Sequence, residues 1–114
     1  MPKVPNSQLL IYQTQDGQTR LEVRLEEETV WLSLKLMAAL FQASKQNTSL
    51  HLKDIFEEQE LVEDSVVKDF LTTAADGKKY TTKLYNPDCI ISVGYRIKSH
   101  IATRFRQWST HTDQ

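Results

Sequence analysis

The stretch that decides the fold is SLKLMAALFQASKQNTSLHLKDIF, residues 33–56. Its apolar side chains recur at helical spacing on both sides of a short polar break, which predicts one helix over residues 34–41 and another over residues 45–58. Ser33 and Ser44 stand just before these helices, where a hydroxyl oxygen can accept a hydrogen bond from a free N–H group of the first turn. A short helix, a tight turn and a longer helix form the layout of a helix-turn-helix.

The second of these helices has one face suited to packing and another suited to reading DNA. Thr48 and Leu52 are expected to face the first helix. The outward residues offer amides and hydroxyls for base edges and lysines for phosphates. They are Lys45, Gln46, Asn47, Ser49 and Lys53, and Leu50 is also expected to face outward. Gln42 stands where the motif usually has glycine, so a positive φ there would cost energy. A plain helical hairpin with a solvated outer face remains the alternative.

Strand-like runs come before the two helices. Residues 9–12 and 21–25 flank Asp16-Gly17, and two such runs joined through Asp-Gly predict a β-hairpin. Residues 30–32, Val-Trp-Leu, predict a third short strand. Because this run is apolar throughout, we expect Trp31 to be a core residue.

A second hairpin is expected over residues 66–85, around Asp76-Gly77. A hairpin directly after a recognition helix is the wing of winged-helix proteins. Lys78, Lys79 and Lys83 would then meet the phosphate backbone. A solvated turn is the alternative, since lysine is common in turns. The predicted fold is α+β and winged helix-turn-helix-like, with an N-terminal hairpin, the helix pair, the wing and C-terminal helices.

The C-terminal part predicts helices that mix basic and aromatic side chains. Asn86-Pro87 can open the first of them, because proline suits a first helical turn. Basic residues interleaved with aromatic ones can hold a phosphate backbone and stack on bases. The residues of this cluster are Tyr95, Arg96, Lys98, Arg104, Arg106 and Trp108, of which Arg104 and Arg106 are candidate DNA contacts. In the alternative interpretation Phe105 and Trp108 are core residues and the arginines pair with acidic residues of the first half.

The charge is divided unevenly along the chain although the net charge is only −1. Residues 1–76 carry seven Lys/Arg and thirteen Asp/Glu, whereas residues 77–114 carry seven and two. This asymmetry favours either a nucleic-acid face or charge pairing within the molecule. The acidic residues at 57–60 are unfavourable beside a helix C-terminus, so we expect fraying there.

Length and composition predict one small domain. We expect a flexible N-terminus over residues 1–8, a domain over residues 9–108 and a disordered tail over residues 109–114. The sequence shows no export signal and no apolar run of about 20 residues, so we expect a cytoplasmic protein that does not enter the membrane.

No constellation of residues indicates catalysis. His51, His100 and His111 lack metal-ligand spacing with Cys89, which stands in an apolar run and is expected to be a buried, inert thiol. The chain has only three glycines and no phosphate-binding loop. We expect no enzyme activity, no metal and no cofactor.

Four segments carry a resemblance to a known family. They are IYQTQDGQTRLEVRLEEETVWLS from Ile11, MAALFQASKQNTSLHLKDIFEEQEL from Met37, TTAADGKKYTTKLYNPDCIISVGYRIKS from Thr72, and FRQW from Phe105. In these segments the chain resembles the RhuM family of virulence-associated, mobile-element-borne bacterial proteins. The resemblance implies DNA binding.

The chain also departs from that family pattern. Similar proteins have Ile at the position of Thr48 and an Arg-Gly pair near His100 and Ile101, and they continue beyond the FRQW segment. We therefore expect an N-terminal domain alone, either trimmed or naturally short.

The function expected from these features is sequence-specific binding of double-stranded DNA. The chain would act as a regulator or as the DNA-targeting part of a mobile-element protein. Pairing into a homodimer is expected, because such readers often bind two half-sites. The alternative is a protein-interaction module, adaptor or antitoxin-like, that uses the same fold without DNA; the near-zero net charge favours it.

Overall fold

The computed structural model describes residues 7–14, 16–27 and 29–112, and it has the α+β architecture that the sequence predicts. Within these residues, five antiparallel strands form one sheet in the order β1-β2-β3-β5-β4. The strands are β1 (Ser7–Gln13), β2 (Arg20–Glu26), β3 (Thr29–Ser33), β4 (Val67–Thr73) and β5 (Lys79–Tyr85). The helices are α1 (Leu34–Leu40), α2 (Lys45–Glu57), α3 (Glu63–Val66), α4 (Pro87–Ile97) and α5 (Ser99–Thr112).

Both Asp-Gly hairpins form where they were predicted. In the first, Gly17 has φ +74°, and the Asp16 carboxylate accepts from the Gln18 N–H at 3.0 Å and the Thr14 hydroxyl at 2.6 Å. In the second, Gly77 has φ +85°, and Asp76 accepts from the Lys78 N–H at 2.9 Å. The same two devices shape both turns: an aspartate that bonds the backbone two residues on, and a glycine in the left-handed region.

β3 joins the two hairpins into a single sheet. It pairs with β2 on one side and with β5 on the other, where Leu32 lies opposite Tyr85. Val30 and Leu32 are both fully buried beneath the helices. Because successive side chains of a strand point to opposite faces, the residue between them must point away from the core.

That residue is Trp31, and the prediction that it belongs to the core is wrong. Its indole is partly exposed on the outer face of the sheet, where it contacts the Phe70 ring at 5.9 Å between centroids. An apolar run of three residues does not tell which of its two faces is buried, and here the pairing of Val30 and Leu32 with the core decides it.

The two helices of the deciding stretch form with the predicted caps. The Ser33 hydroxyl accepts from the Leu36 N–H, and the Ser44 hydroxyl accepts from the Asn47 N–H. Gln42, in the turn between α1 and α2, has φ +56°, as expected of the position that usually holds glycine. Thr48 is fully buried, and its hydroxyl donates to the Ser44 carbonyl oxygen at 2.8 Å, so the polar group at this inward position is satisfied.

Helix α4 approaches α5 and the end of α1 closely at Gly94. Asn86 caps α4 by accepting from the Cys89 N–H, and Pro87 occupies the first turn. Gly94 lies against the Phe41 ring and the methyl group of Ala102, so close that an added Cβ would overlap both. The fully buried side chains of Phe41 and Phe105 thus belong to one core that spans the sheet and both helix pairs.

The ends of the predicted domain differ from expectation. A disordered tail was predicted from residue 109, but α5 continues to Thr112, and Ser109 is buried with its hydroxyl donating to the Arg106 carbonyl oxygen. Of the predicted flexible N-terminus, Ser7 and Gln8 belong to β1, and residues 1–6 lie outside the described residues. The short helix α3 was not predicted.

Candidate nucleic-acid interface

Helix α2 presents a largely polar face to solvent, on which Leu50 is the apolar exception among the exposed residues of the helix. Thr48, Leu52 and Ile55 are buried and fix the helix against the core. The five predicted contact residues on the other side are all exposed: Lys45, Gln46, Asn47, Ser49 and Lys53. The helix therefore holds two carboxamides, a hydroxyl and two ammonium groups on one rigid surface.

A groove of about 350 Å³ connects α2 with the base of the second hairpin. Ser49 and Lys53 line it from α2, and Tyr85 lines it from the end of β5. Since side chains alternate along a strand, Lys83 and Lys79 lie on the same face of β5 as Tyr85. The hairpin and α2 are therefore neighbours, and two of the three predicted wing lysines lie on the hairpin face that borders α2.

Acidic side chains interrupt this basic surface. Glu57 and Glu63 line the same groove, and Glu57 lies 3.9 Å from the Lys53 ammonium group, with both side chains about two-thirds exposed. Asp69 of β4 lies directly opposite Lys83 in the ladder. Two of the predicted lysine contacts, Lys53 and Lys83, thus lie beside or opposite carboxylates.

The basic C-terminal cluster divides into separate roles. Arg96 donates to the carboxylates of Glu58 and Glu60 at 2.8 and 2.9 Å. These bonds lower the pKa of Glu60, chiefly through the hydrogen bond from Arg96. They also place a cation beside the acidic end of α2, where fraying was predicted. Arg96 thus follows the alternative interpretation of charge pairing within the molecule.

Trp108 and its neighbour Phe105 have a structural role, whereas Tyr95 is exposed. Phe105 is fully buried, and Trp108 packs on it at 5.7 Å between ring centroids. Tyr12 of β1 completes the group, 5.3 Å from Phe105 and 4.9 Å from Trp108. Arg104 and Arg106 lie on the exposed side of α5, and neither is among the residues that line the α2 groove.

The outer face of the sheet carries an aromatic and cationic cluster that the sequence did not predict. Phe70 contacts Trp31, the Lys68 ammonium lies 5.8 Å from the Trp31 ring, and the Arg24 guanidinium lies 5.5 Å from the Phe70 ring. The sequence does show side chains alternating between the two faces along β3 and β4. That alternation places Trp31 and Phe70 on the same face of the sheet, but this can be seen only when the strand order is known.

The cysteine thiol and the metal-binding types of side chain form no further site among the described residues. The Cys89 thiol is fully buried, and burial raises its pKa to about 12, so it is the inert thiol that was expected. Among the described residues, no three His, Cys, Asp or Glu side chains are grouped so that they could hold a metal ion. Of the helices in the described ranges, none has the length and apolar character needed to cross a membrane.

Comparison with known proteins gives one result. Residues 65–114 match the family model described as "Virulence protein RhuM family". The match begins at the end of α3 and takes in the second hairpin, α4 and α5, so the predicted resemblance is confirmed over these elements. No curated protein and no solved structure matches the chain.

Proposed function

We propose that this domain, whose residues 65–114 match the RhuM family model, is a sequence-specific reader of double-stranded DNA. The name of this family says nothing of DNA, so the proposal rests on the domain's own geometry. The observation that carries it is the exposed polar face of α2, held rigid by a buried stripe and bordered by a lysine-bearing hairpin.

Chain order supports a winged helix-turn-helix arrangement. β3 leads directly into α1, α2 follows after a short turn, and β4 and β5 form the hairpin after it. β3 then pairs with β5, so that one sheet carries both the helix pair and the hairpin. This order and pairing are typical of winged-helix domains, in which the second helix enters the major groove and the hairpin contacts the backbone.

Each exposed group of α2 suits one kind of DNA contact. Gln46 and Asn47 can donate to and accept from an adenine at the same time, and each such pair is worth about 1–3 kcal/mol of discrimination. Ser49 can bond a base edge or a phosphate. Lys45 and Lys53 can hold the helix in register through phosphates, without reading sequence.

The second hairpin and α5 would add contacts that do not read sequence. Lys78 and Lys79 follow the hairpin tip, and Lys83 stands two residues before Tyr85, which lines the α2 groove. Arg104 and Arg106 are exposed on α5 and would reach DNA only where it bends around the domain. We assign the domain no catalytic step, no metal and no cofactor, and we place its action in the cytoplasm as a homodimer on paired half-sites.

The test is selection of bound sequences from a random duplex pool at physiological salt. Wild type should enrich one sequence. Gln46→Ala or Asn47→Ala should relax that preference with little loss of non-specific affinity, and Lys45→Ala should weaken binding to every duplex. Gln107→Ala, an exposed carboxamide on α5, is the matched control and should change neither property. Enrichment that survives in both carboxamide variants would contradict the assignment of α2.

A protein-interaction module is the second candidate, and one observation favours it. Leu50 is 54% exposed on the same outward side of α2, where an apolar side chain suits a protein partner. This function predicts that the pool selection yields no preferred sequence and that affinity for duplex DNA is negligible at physiological salt. Enrichment of a sequence by wild type excludes it as the main role.

A further inference from the structure

A second concave site lies on the other side of the turn that precedes α2. It is a half-open cleft of about 450 Å³, bordered by the first hairpin, by Gln42 in the turn, and by the junction of α4 and α5. Its volume falls in the range of small-molecule sites, about 300–1,000 Å³. Neither the expected DNA contacts of α2 nor the second hairpin take part in it.

The cleft contains a buried hydroxyl group without a partner. Tyr12 lines the cleft and is only 6% exposed, its ring held by Phe105 and Trp108. Within the described part of the chain its hydroxyl makes no hydrogen bond to protein. A buried polar group that finds no protein partner costs free energy, so this hydroxyl is a donor that a ligand can satisfy.

Cationic donors surround the same space. Arg104 lines the cleft, and its charge acts on the Tyr12 hydroxyl, lowering a pKa that burial raises. Lys98 lines it from the α4–α5 junction and donates to the Gln42 side-chain oxygen at 3.2 Å, which leaves the Gln42 amide N–H groups for a ligand. These potential donors come from three segments of the chain that border the cleft.

The one carboxylate among the described residues that line the cleft stays charged, but its oxygens are bonded within the hairpin turn. Asp16 accepts from the Thr14 hydroxyl and the Gln18 N–H, and these hydrogen bonds lower its pKa. It is committed to the hairpin turn and does not form an ion pair with Lys98 or Arg104 in the described residues. The two cations therefore outnumber it, and the cleft is suited to an anion with several acceptor oxygens.

We propose that this cleft binds the phosphate group of a small phosphate monoester, with Arg104 and Lys98 opposing its charge and the Tyr12 hydroxyl donating to one of its oxygens. The guanidinium of Arg104 matches two phosphate oxygens at once, and the ammonium of Lys98 acts as a point charge. The proposal does not rest on DNA binding, because it uses none of the α2 residues.

The experiment is a titration of the isotope-labelled domain with adenosine monophosphate, inorganic phosphate and adenosine, followed by NMR chemical shifts. The two phosphate-bearing probes should shift the resonances of Gln42, Lys98 and Arg104, and adenosine should not. Equal shifts from adenosine and its monophosphate, or no shifts at millimolar concentrations, would overturn the proposal.

Variants isolate the groups responsible. Tyr12→Phe keeps the ring contacts and removes only the hydroxyl, and we expect about tenfold weaker binding of adenosine monophosphate; Arg104→Gln should weaken it by at least about tenfold, as for hydrogen bonds to charged groups. Arg106→Gln removes the same charge from α5 outside the cleft and should leave this affinity unchanged. Equal affinity in all three variants would refute the site.

A DNA arm distinguishes the source of the phosphate. If the cleft holds a small monoester, a duplex should leave the Tyr12 resonances in place, and adenosine monophosphate should not displace the duplex. Competition between duplex and monophosphate, together with loss of DNA affinity in Tyr12→Phe, would overturn the small-molecule source and assign the cleft to the DNA backbone. Failure of DNA binding altogether would leave the monophosphate titration unaffected.

Discussion

Replacing Gly94 by alanine should destabilise this domain, although alanine is the better helix former. Gly94 lies inside α4, where Gly→Ala normally gains about 1 kcal/mol of helix propensity. Here the added Cβ would stand 2.6 Å from both the Ala102 methyl carbon and a ring carbon of Phe41. Carbon atoms pack best at about 3.5–4.0 Å, so the neighbours would have to move by about 1 Å.

The neighbours have little room to move. Phe41 and Ala102 are both fully buried. The methyl group of Ala102 is bonded directly to the Cα atom, so it can move only if the backbone of α5 moves. Overpacking of a filled core costs about 1–3 kcal/mol, and we expect the upper end because two rigid groups are met at once. After the propensity gain is subtracted, Gly94→Ala should lower the free energy of unfolding by about 2 kcal/mol.

Urea unfolding followed by circular dichroism measures this change. The midpoint should fall by about 1 M, given slopes of about 1–3 kcal/mol/M. Phe41→Leu in the Gly94→Ala background provides the control, because the smaller side chain vacates the space that the new methyl group needs. The double variant should be more stable than the sum of the single changes predicts. A Gly94→Ala domain as stable as wild type would refute the close packing of α4 against α1 and α5.

Two further predictions concern charge. Arg96→Gln should lower the free energy of unfolding at neutral pH, and its difference from wild type should vanish on acidification. The reason is that folding lowers the pKa of Glu60 from 4.5, so Glu60 contributes stability above pH 4.5 that is lost as the pH falls through the lowered pKa. A difference that persists at low pH in urea titrations would contradict the ion pair. Replacing Lys78 and Lys79 together by alanine should weaken binding to all duplexes alike and reduce the slope of log affinity against log salt concentration by up to about two. Lys35→Ala on α1 is the control and should leave this slope unchanged. An unaltered slope in the double variant would mean that the hairpin is not a wing.

Part of the candidate site could be predicted from sequence because its signals are local. The exposed residues of α2 follow from a 3.6-residue period, and the turn lysines follow from an Asp-Gly pair. The groove that links Ser49 to Tyr85 could not be predicted, since it depends on how β5 pairs with β3. The cleft beside Gln42 was missed for the same reason: its donors come from three segments that the core brings together.

The sequence by itself determined the local elements of this protein. Ser33, Ser44 and Asn86 cap their helices through bonds that span three residues, and Asp16-Gly17 closes its hairpin through bonds of similar reach. Such interactions involve side chain and backbone within one turn, so the chain specifies them before any tertiary contact forms.

Only the tertiary structure decided which faces and charges meet. Trp31 lies on the outer face because Val30 and Leu32 both enter the core, a choice that an all-apolar run leaves open. Arg96 meets Glu58 and Glu60 across a long sequence separation, and the Tyr12 ring meets Phe105 only because β1 packs against α5. Partnerships between distant segments depend on the packing of the whole core, which no local period encodes.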